Sequence, residues 1–247
     1  MEADHGFLSL ALPGGRIVSG NPGHILSELH GLILRDAIES EAGAPFLHCA
    51  TIVGPWGRAA LIGAKGSGQA TLALHLLANG HAVEGDEHLV VAGDVIARPR
   101  TLRVKQGSLA LVPALRERIA RSPSIQAWDG ALIHAVDPSI AGTPWRIERG
   151  RLDALVFVEP NHGGRSVMTP MGTEPAFRLL MAHSLLSPRG IAAATARLRN
   201  LALSVPAFRL SLGDLAGARR HLELSARFRA NDPESLRNPE VEVAPPR

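Results

Sequence analysis

The chain has no tyrosine, three tryptophans, six phenylalanines and one cysteine in 247 residues. A single cysteine excludes an internal disulfide framework and any all-cysteine metal site, which fits a reducing compartment. That cysteine, Cys49, lies inside the apolar run Phe46 to Val53 and reads as core rather than nucleophile. So few aromatic side chains leave little for base stacking, and nucleic-acid binding is not expected. No run of about 18 apolar residues occurs. The start, Met1-Glu2-Ala3-Asp4-His5, has no basic region ahead of an apolar stretch. Neither a membrane span nor a signal peptide is expected, and the cytoplasm is the expected location. What is present is ordinary for a globular protein: 45% apolar and 20% charged residues, a net charge of +3, and length enough for one large domain. The cations are clustered, with Arg98, Arg100, Arg103 and Lys105 in one group and Arg116, Arg118 and Arg121 in another.

A second kind of absence lies in Gly63-Ala64-Lys65-Gly66-Ser67-Gly68-Gln69-Ala70-Thr71. In the phosphate-binding pattern GxxxxGK[ST], Gly63 and Gly68 fill the glycine positions, but Gln69 stands in place of the lysine and Ala70 in place of the metal-binding hydroxyl. Such a cradle works through backbone N–H groups and the positive end of a helix, and those features survive. A point charge on the phosphates and a hydroxyl on the metal do not. Lys65 is a candidate substitute for the lysine. Thr71 is one residue late for the metal role.

The surrounding pattern puts this loop between a strand and a helix. Phe7 to Leu12 and Arg16 to Ser19 read as strands, with turns at Pro13-Gly14-Gly15 and Asn21-Pro22-Gly23, followed by an amphipathic run from His24 to Leu34. Phe46 to Val53 and Arg58 to Ile62 read as a hairpin turning at Gly54-Pro55-Trp56-Gly57, and the second strand feeds the glycine loop. Thr71 to Ala78 has helical spacing and stops at Asn79-Gly80. Strands are expected at His81 to Val83, Leu89 to Val91, Val95 to Ile96 and Leu152 to Glu159, and helices over residues 109–120, Pro175 to Leu186 and Gly190 to Leu203. Residues 231–247, rich in proline and charge, are expected to be a flexible tail.

His48 stands fifteen residues ahead of Gly63, the loop runs into TLALHLLANGH, and the acidic pair Asp86-Glu87 ends the next strand. This series resembles the catalytic domain of HPr kinase/phosphorylase and the related bacterial serine kinases. It covers residues 46–110 specifically and residues 5–230 in general layout. The resemblance implies an α/β fold, a P-loop domain over 46–230 with a mixed sheet and flanking helices, and residues 1–45 as a strand and helix portion of the same domain. It makes Asp86 the carboxylate that takes a proton from the substrate hydroxyl, Glu87 the residue associated with metal, and His48 a site histidine near the phosphates. The implied cofactor is ATP or another nucleotide or phosphate, held by Gly63, Lys65, Gly66, Ser67, Gly68, Gln69, Ala70 and Thr71. Its implied partner is a peptide, protein or small molecule bearing a hydroxyl, and a homo-oligomer is in keeping with the family.

The departures bear on chemistry. Between Asp94 and Glu117 there is no Asp or Glu to supply the family's later metal ligand, so Mg²⁺ binding should be weakened. Arg103 and Lys105, and Arg165 in the loop after the Leu152 to Glu159 strand, are candidates to supply positive charge to the phosphates instead. His81, His88, His134, Asp137 and His162 match no compact ligand motif, which argues against a zinc site. Two functions follow: phosphate transfer to a serine or threonine hydroxyl, or a pseudokinase that keeps the anion site without turnover. A different reaction on the same scaffold is a third.

Overall fold

The computed structural model describes residues 8–12, 14–127 and 130–225. In chain order the elements are β1 (Leu8–Ala11), β2 (Ile17–Gly20), α1 (Pro22–Ser40), β3 (Phe46–Gly54), β4 (Gly57–Ile62), α2 (Gln69–Ala78), β5 (Ala82–Gly85), β6 (His88–Ala92), β7 (Asp94–Ala97) and β8 (Leu102–Lys105). Then come α3 (Arg116–Ala120), β9 (Ser124–Gln126), β10 (Leu132–Val136), β11 (Ala154–Pro160), β12 (Val167–Met171), α4 (Thr173–Ala182), β13 (Ser184–Leu185), α5 (Ile191–Ser204), β14 (Ala207–Leu212) and α6 (Leu215–Ser225). The expected tail at 231–247 lies outside the described residues, as do Phe7 and Pro13 of the first expected strand and turn.

The main sheet runs β12-β14-β11-β4-β3-β6-β7, with β5 and β13 also paired to β3. It is mixed: β4, β11 and β14 are mutually parallel, while β3 is antiparallel to β4 and β12 antiparallel to β14. Both faces are covered, so β3 and β4 read as nearly unbroken apolar runs rather than alternating ones. On one face Ala50, Ile52 and Leu61 pack with Leu72 and Leu76 of α2 and Leu222 of α6. On the other, Leu47, Cys49 and Ile62 pack with Leu180 of α4 and Leu198 of α5. Cys49 is buried among them, and desolvation pushes its thiol up to about 12. Smaller sheets, β1-β2 and β8-β10-β9, complete the strands among the described residues.

Three boundaries differ from expectation for identifiable reasons. Helix α1 begins at Pro22, within the expected turn, because Asn21 caps it through the His24 N–H at 2.8 Å and Pro22 occupies a first-turn position. The expected helix over 109–120 is broken into 3-10 turns at Gln106–Leu111 and Pro113–Leu115 before the short α3, since Pro113 lacks the N–H a continuous helix needs. The expected helix to Leu186 ends at Ala182, and Ser184–Leu185 instead pairs with Leu47 and Phe46 of β3.

Candidate functional site

The glycine loop leaves β4 at Ile62 and enters α2 at Gln69, at the carboxyl ends of the parallel strands β4, β11 and β14. In open α/β sheets this is the edge at which ligands bind. Gly66 and Gly68 hold φ of 90° and 89°, in the left-handed region where a side chain is disfavoured. The loop is also pressed onto the strand ends. A Cβ on Gly63 would overlap the Ser67 hydroxyl and come 3.0 Å from the Val158 carbonyl of β11, and one on Gly68 would come 2.7 Å from Leu212 Cδ2 at the end of β14. Gly68 precedes α2 without a side chain to cap it, so the N-cap residue offers the first-turn N–H groups no acceptor. Beside the loop a cleft of about 300 Å³ is lined by Lys65, Phe157, Glu159, Leu179 and His183.

The acidic pair is positioned by a change of partner along β3. Its first residues pair with β6 and its last with β5, and Asp86-Glu87 is the connection between those two strands. The Glu87 carbonyl accepts from the Cys49 N–H at 3.2 Å and lies 2.8 Å from His48 Nδ1, which donates to it. That bond puts the proton on Nδ1 and leaves Nε2 of neutral His48 as an acceptor. Desolvation lowers His48, opposed by the negative charge of Asp86. Because Cys49 is opposite Ile62, His48 flanks the start of the glycine loop, and its N–H donates to the carbonyl of His183, which lines the cleft.

Asp86 Oδ2 accepts from the Arg103 N–H at 3.1 Å. Burial raises the Asp86 carboxyl above its usual range, against the opposing effect of that hydrogen bond and of Arg100, Arg103 and His48. Glu87 faces another way: its Oε2 is in an ion pair with Arg100 and within 3.0 Å of His30 Nε2 on α1. Desolvation and the nearby Arg100, Arg98 and Arg103 pull His30 down to about 4, so it stands neutral. His88, 7% exposed and with its ring centroid 5.6 Å from that of His48, is likewise lowered to about 4, chiefly by desolvation.

No protein-family model matches this chain, and no curated protein does. The site therefore stands on its own geometry.

Mg²⁺ does not fit the residues present. The Glu87 Oε2 is engaged by Arg100 and His30. Among the described residues no three of His, Cys, Asp and Glu stand together as a metal-binding group. Ala70 has no side-chain oxygen to offer.

Of the residues singled out in the sequence, His48, Asp86, Glu87 and Arg103 are linked to one another by the contacts above, and His183, which takes the His48 N–H and lines the cleft, connects them to the loop 63–71. None of the four is itself among the residues that line the cleft. Ser67 is 4% exposed with its hydroxyl buried and without a partner among the described residues, and Gln69 is 7% exposed, so neither side chain is an open ligand group. Lys65 is exposed on the cleft wall. Lys105, exposed at the end of β8, and Arg165, exposed on the loop before β12, are not among the residues that line this cleft. Sequence reasoning missed His30 and His183. His30 is 57 positions from the carboxylate it meets, and no local spacing signals such a contact.

Proposed function

We propose that the chain is related to HPr kinase/phosphorylase, binds the phosphates of a nucleotide or another phosphorylated ligand on the 63–68 loop, and transfers a phosphoryl group to a serine or threonine hydroxyl. The observation that carries the reading is the loop itself: two left-handed glycines leading into an uncapped helix at the carboxyl ends of three parallel strands. Asp86 is the base. Its raised pKa makes it a better proton acceptor than an ordinary surface carboxylate. In the transfer, the hydroxyl oxygen bonds to phosphorus and the bond from phosphorus to the leaving oxygen breaks with its electron pair on that oxygen. The hydroxyl proton passes to Asp86. Arg100 and Arg103, both acting electrostatically on Asp86, supply positive charge in this region.

A second reading, a pseudokinase that binds without turnover, is favoured by the buried Gln69 and by the engagement of Glu87 with Arg100. Calorimetric titration with ATP, ADP and inorganic phosphate, with and without Mg²⁺, is paired with single-turnover transfer to a mixture of serine and threonine peptides. Binding that is indifferent to Mg²⁺ is expected in either case. Transfer that falls about 10²–10⁴-fold in Asp86→Asn supports the enzyme; binding with no transfer supports the module. If none of the three ligands binds, both readings are wrong. Gln69→Lys combined with Ala70→Ser is expected to raise ATP turnover if the rest of the site is competent.

A further inference from the structure

Helix α1 is 19 residues long yet buries only Gly23 and Ile25. Leu26, Leu29 and Ile33, at spacings of three and seven, are 51%, 40% and 53% exposed along one stripe. That stripe forms one wall of a groove of about 320 Å³. The opposite wall is Ile125 and Ile133 of the β8-β10-β9 sheet, and Arg100 and Arg103 also line it. The candidate base lies behind this wall: Arg103, which lines the groove, donates its backbone N–H to Asp86.

Its charge is unbalanced. Of the three guanidiniums clustered around His30, only that of Arg100 forms a salt bridge among the described residues, with Glu87. Arg98 Nη1 is buried without a hydrogen-bond partner among the described residues. Desolvation and the neighbouring Arg103 pull Arg100 down to about 10, a crowding that an incoming negative charge relieves. The volume lies at the small end of ligand pockets, about 300–1,000 Å³, and suits a few side chains of a segment rather than a partner domain. A lipid surface fits poorly. The charged residues of α1 are Glu28, Arg35, Asp36 and Glu39, an acid excess that anionic headgroups repel.

We propose that this groove docks the hydroxyl-bearing substrate as an acidic and apolar peptide segment, with apolar side chains against Leu26, Leu29 and Ile33 and a carboxylate on Arg103. Only the delivery of its hydroxyl to Asp86 rests on the function proposed above. The docking mode is that of a short segment whose alternate apolar anchors seat in a groove.

The test pans a phage-displayed random peptide library on the wild-type protein and on Leu29→Glu and Ile33→Glu, both substitutions at exposed positions. Recovered peptides are expected to be enriched in Asp or Glu next to Leu, Ile or Val. Either variant should weaken a synthetic copy of a recovered peptide by about tenfold, the effect of losing an anchor in an interface. ATP titration, which reads the glycine loop, should be unchanged in both variants. Absence of enrichment, or equal binding by wild type and variants, overturns the inference. So does sedimentation showing a dimer that Leu29→Glu dissociates, which would assign the stripe to a second copy, or flotation of the protein with phosphatidylserine vesicles. Wild-type protein that binds the peptide but not ATP would instead count against the phosphate site alone.

Discussion

Gly66 and Gly68 hold nearly the same left-handed φ in different surroundings, so a pair of alanine substitutions separates conformation from packing. At Gly66, φ is 90° and a Cβ meets nothing within 4 Å, so Gly66→Ala costs only the left-handed conformation, about 1–2 kcal/mol. At Gly68, φ is 89° and the Cβ would come 2.7 Å from Leu212 Cδ2, well inside the about 3.5–4.0 Å of a relaxed carbon contact. Leu212 is 8% exposed and must be displaced within the core, which adds about 1–3 kcal/mol of overpacking. Gly68→Ala should therefore lose about 2–5 kcal/mol in total. The assay is urea unfolding of both variants, of Leu212→Ala and of Gly68→Ala/Leu212→Ala. Leu212→Ala alone is costly, but in the double variant the clash is gone and the cycle should show a favourable coupling of about 1–3 kcal/mol. Two results refute the reasoning: equal losses at Gly66 and Gly68, or strict additivity of Gly68→Ala with Leu212→Ala. Either would mean that the loop does not rest on β14 as described.

In the pair Arg58–Glu84 the carboxylate is buried and the guanidinium largely so, with Nε and Nη2 each 2.9 Å from a carboxylate oxygen, and Arg58 also donates to the carbonyls of Glu148 and Arg151. Glu84→Leu leaves that guanidinium unpaired and should cost about 3–5 kcal/mol in denaturant unfolding, with much of the loss recovered in Arg58→Met/Glu84→Leu. Stability should also fall in acid. His30 and His88 stand at about 4 in the folded protein against 6.5 in the unfolded chain, so the unfolded state binds protons first as pH drops. Their contribution is whole above pH 6.5 and is lost between pH 6.5 and about 4. Thermal melts across that window should show the decline, and His88→Gln should flatten it; an unchanged slope would remove His88 from the explanation.

The chain's local chemistry already contained the hairpin β3-β4, the glycine loop and the helix after it. Apolar runs, turn glycines and a helix stop at Asn79-Gly80 act within a few residues and need no distant partner. Strands β9, β10, β12 and β14 were not legible in that way. They are short, β12 carries Pro170 on a sheet edge where a missing N–H is tolerated, and β14 interrupts its apolar residues with Arg209. Their pairing is settled by neighbours far along the chain. The site divides along the same line. Sequence alone placed a glycine cradle, His48 and an acidic pair in order. Only the tertiary structure decided that Asp86 takes the Arg103 N–H while Glu87 is drawn to Arg100 and His30, because adjacent carboxylates leaving one turn meet different elements. Local sterics write the cradle; long-range electrostatics choose what surrounds it.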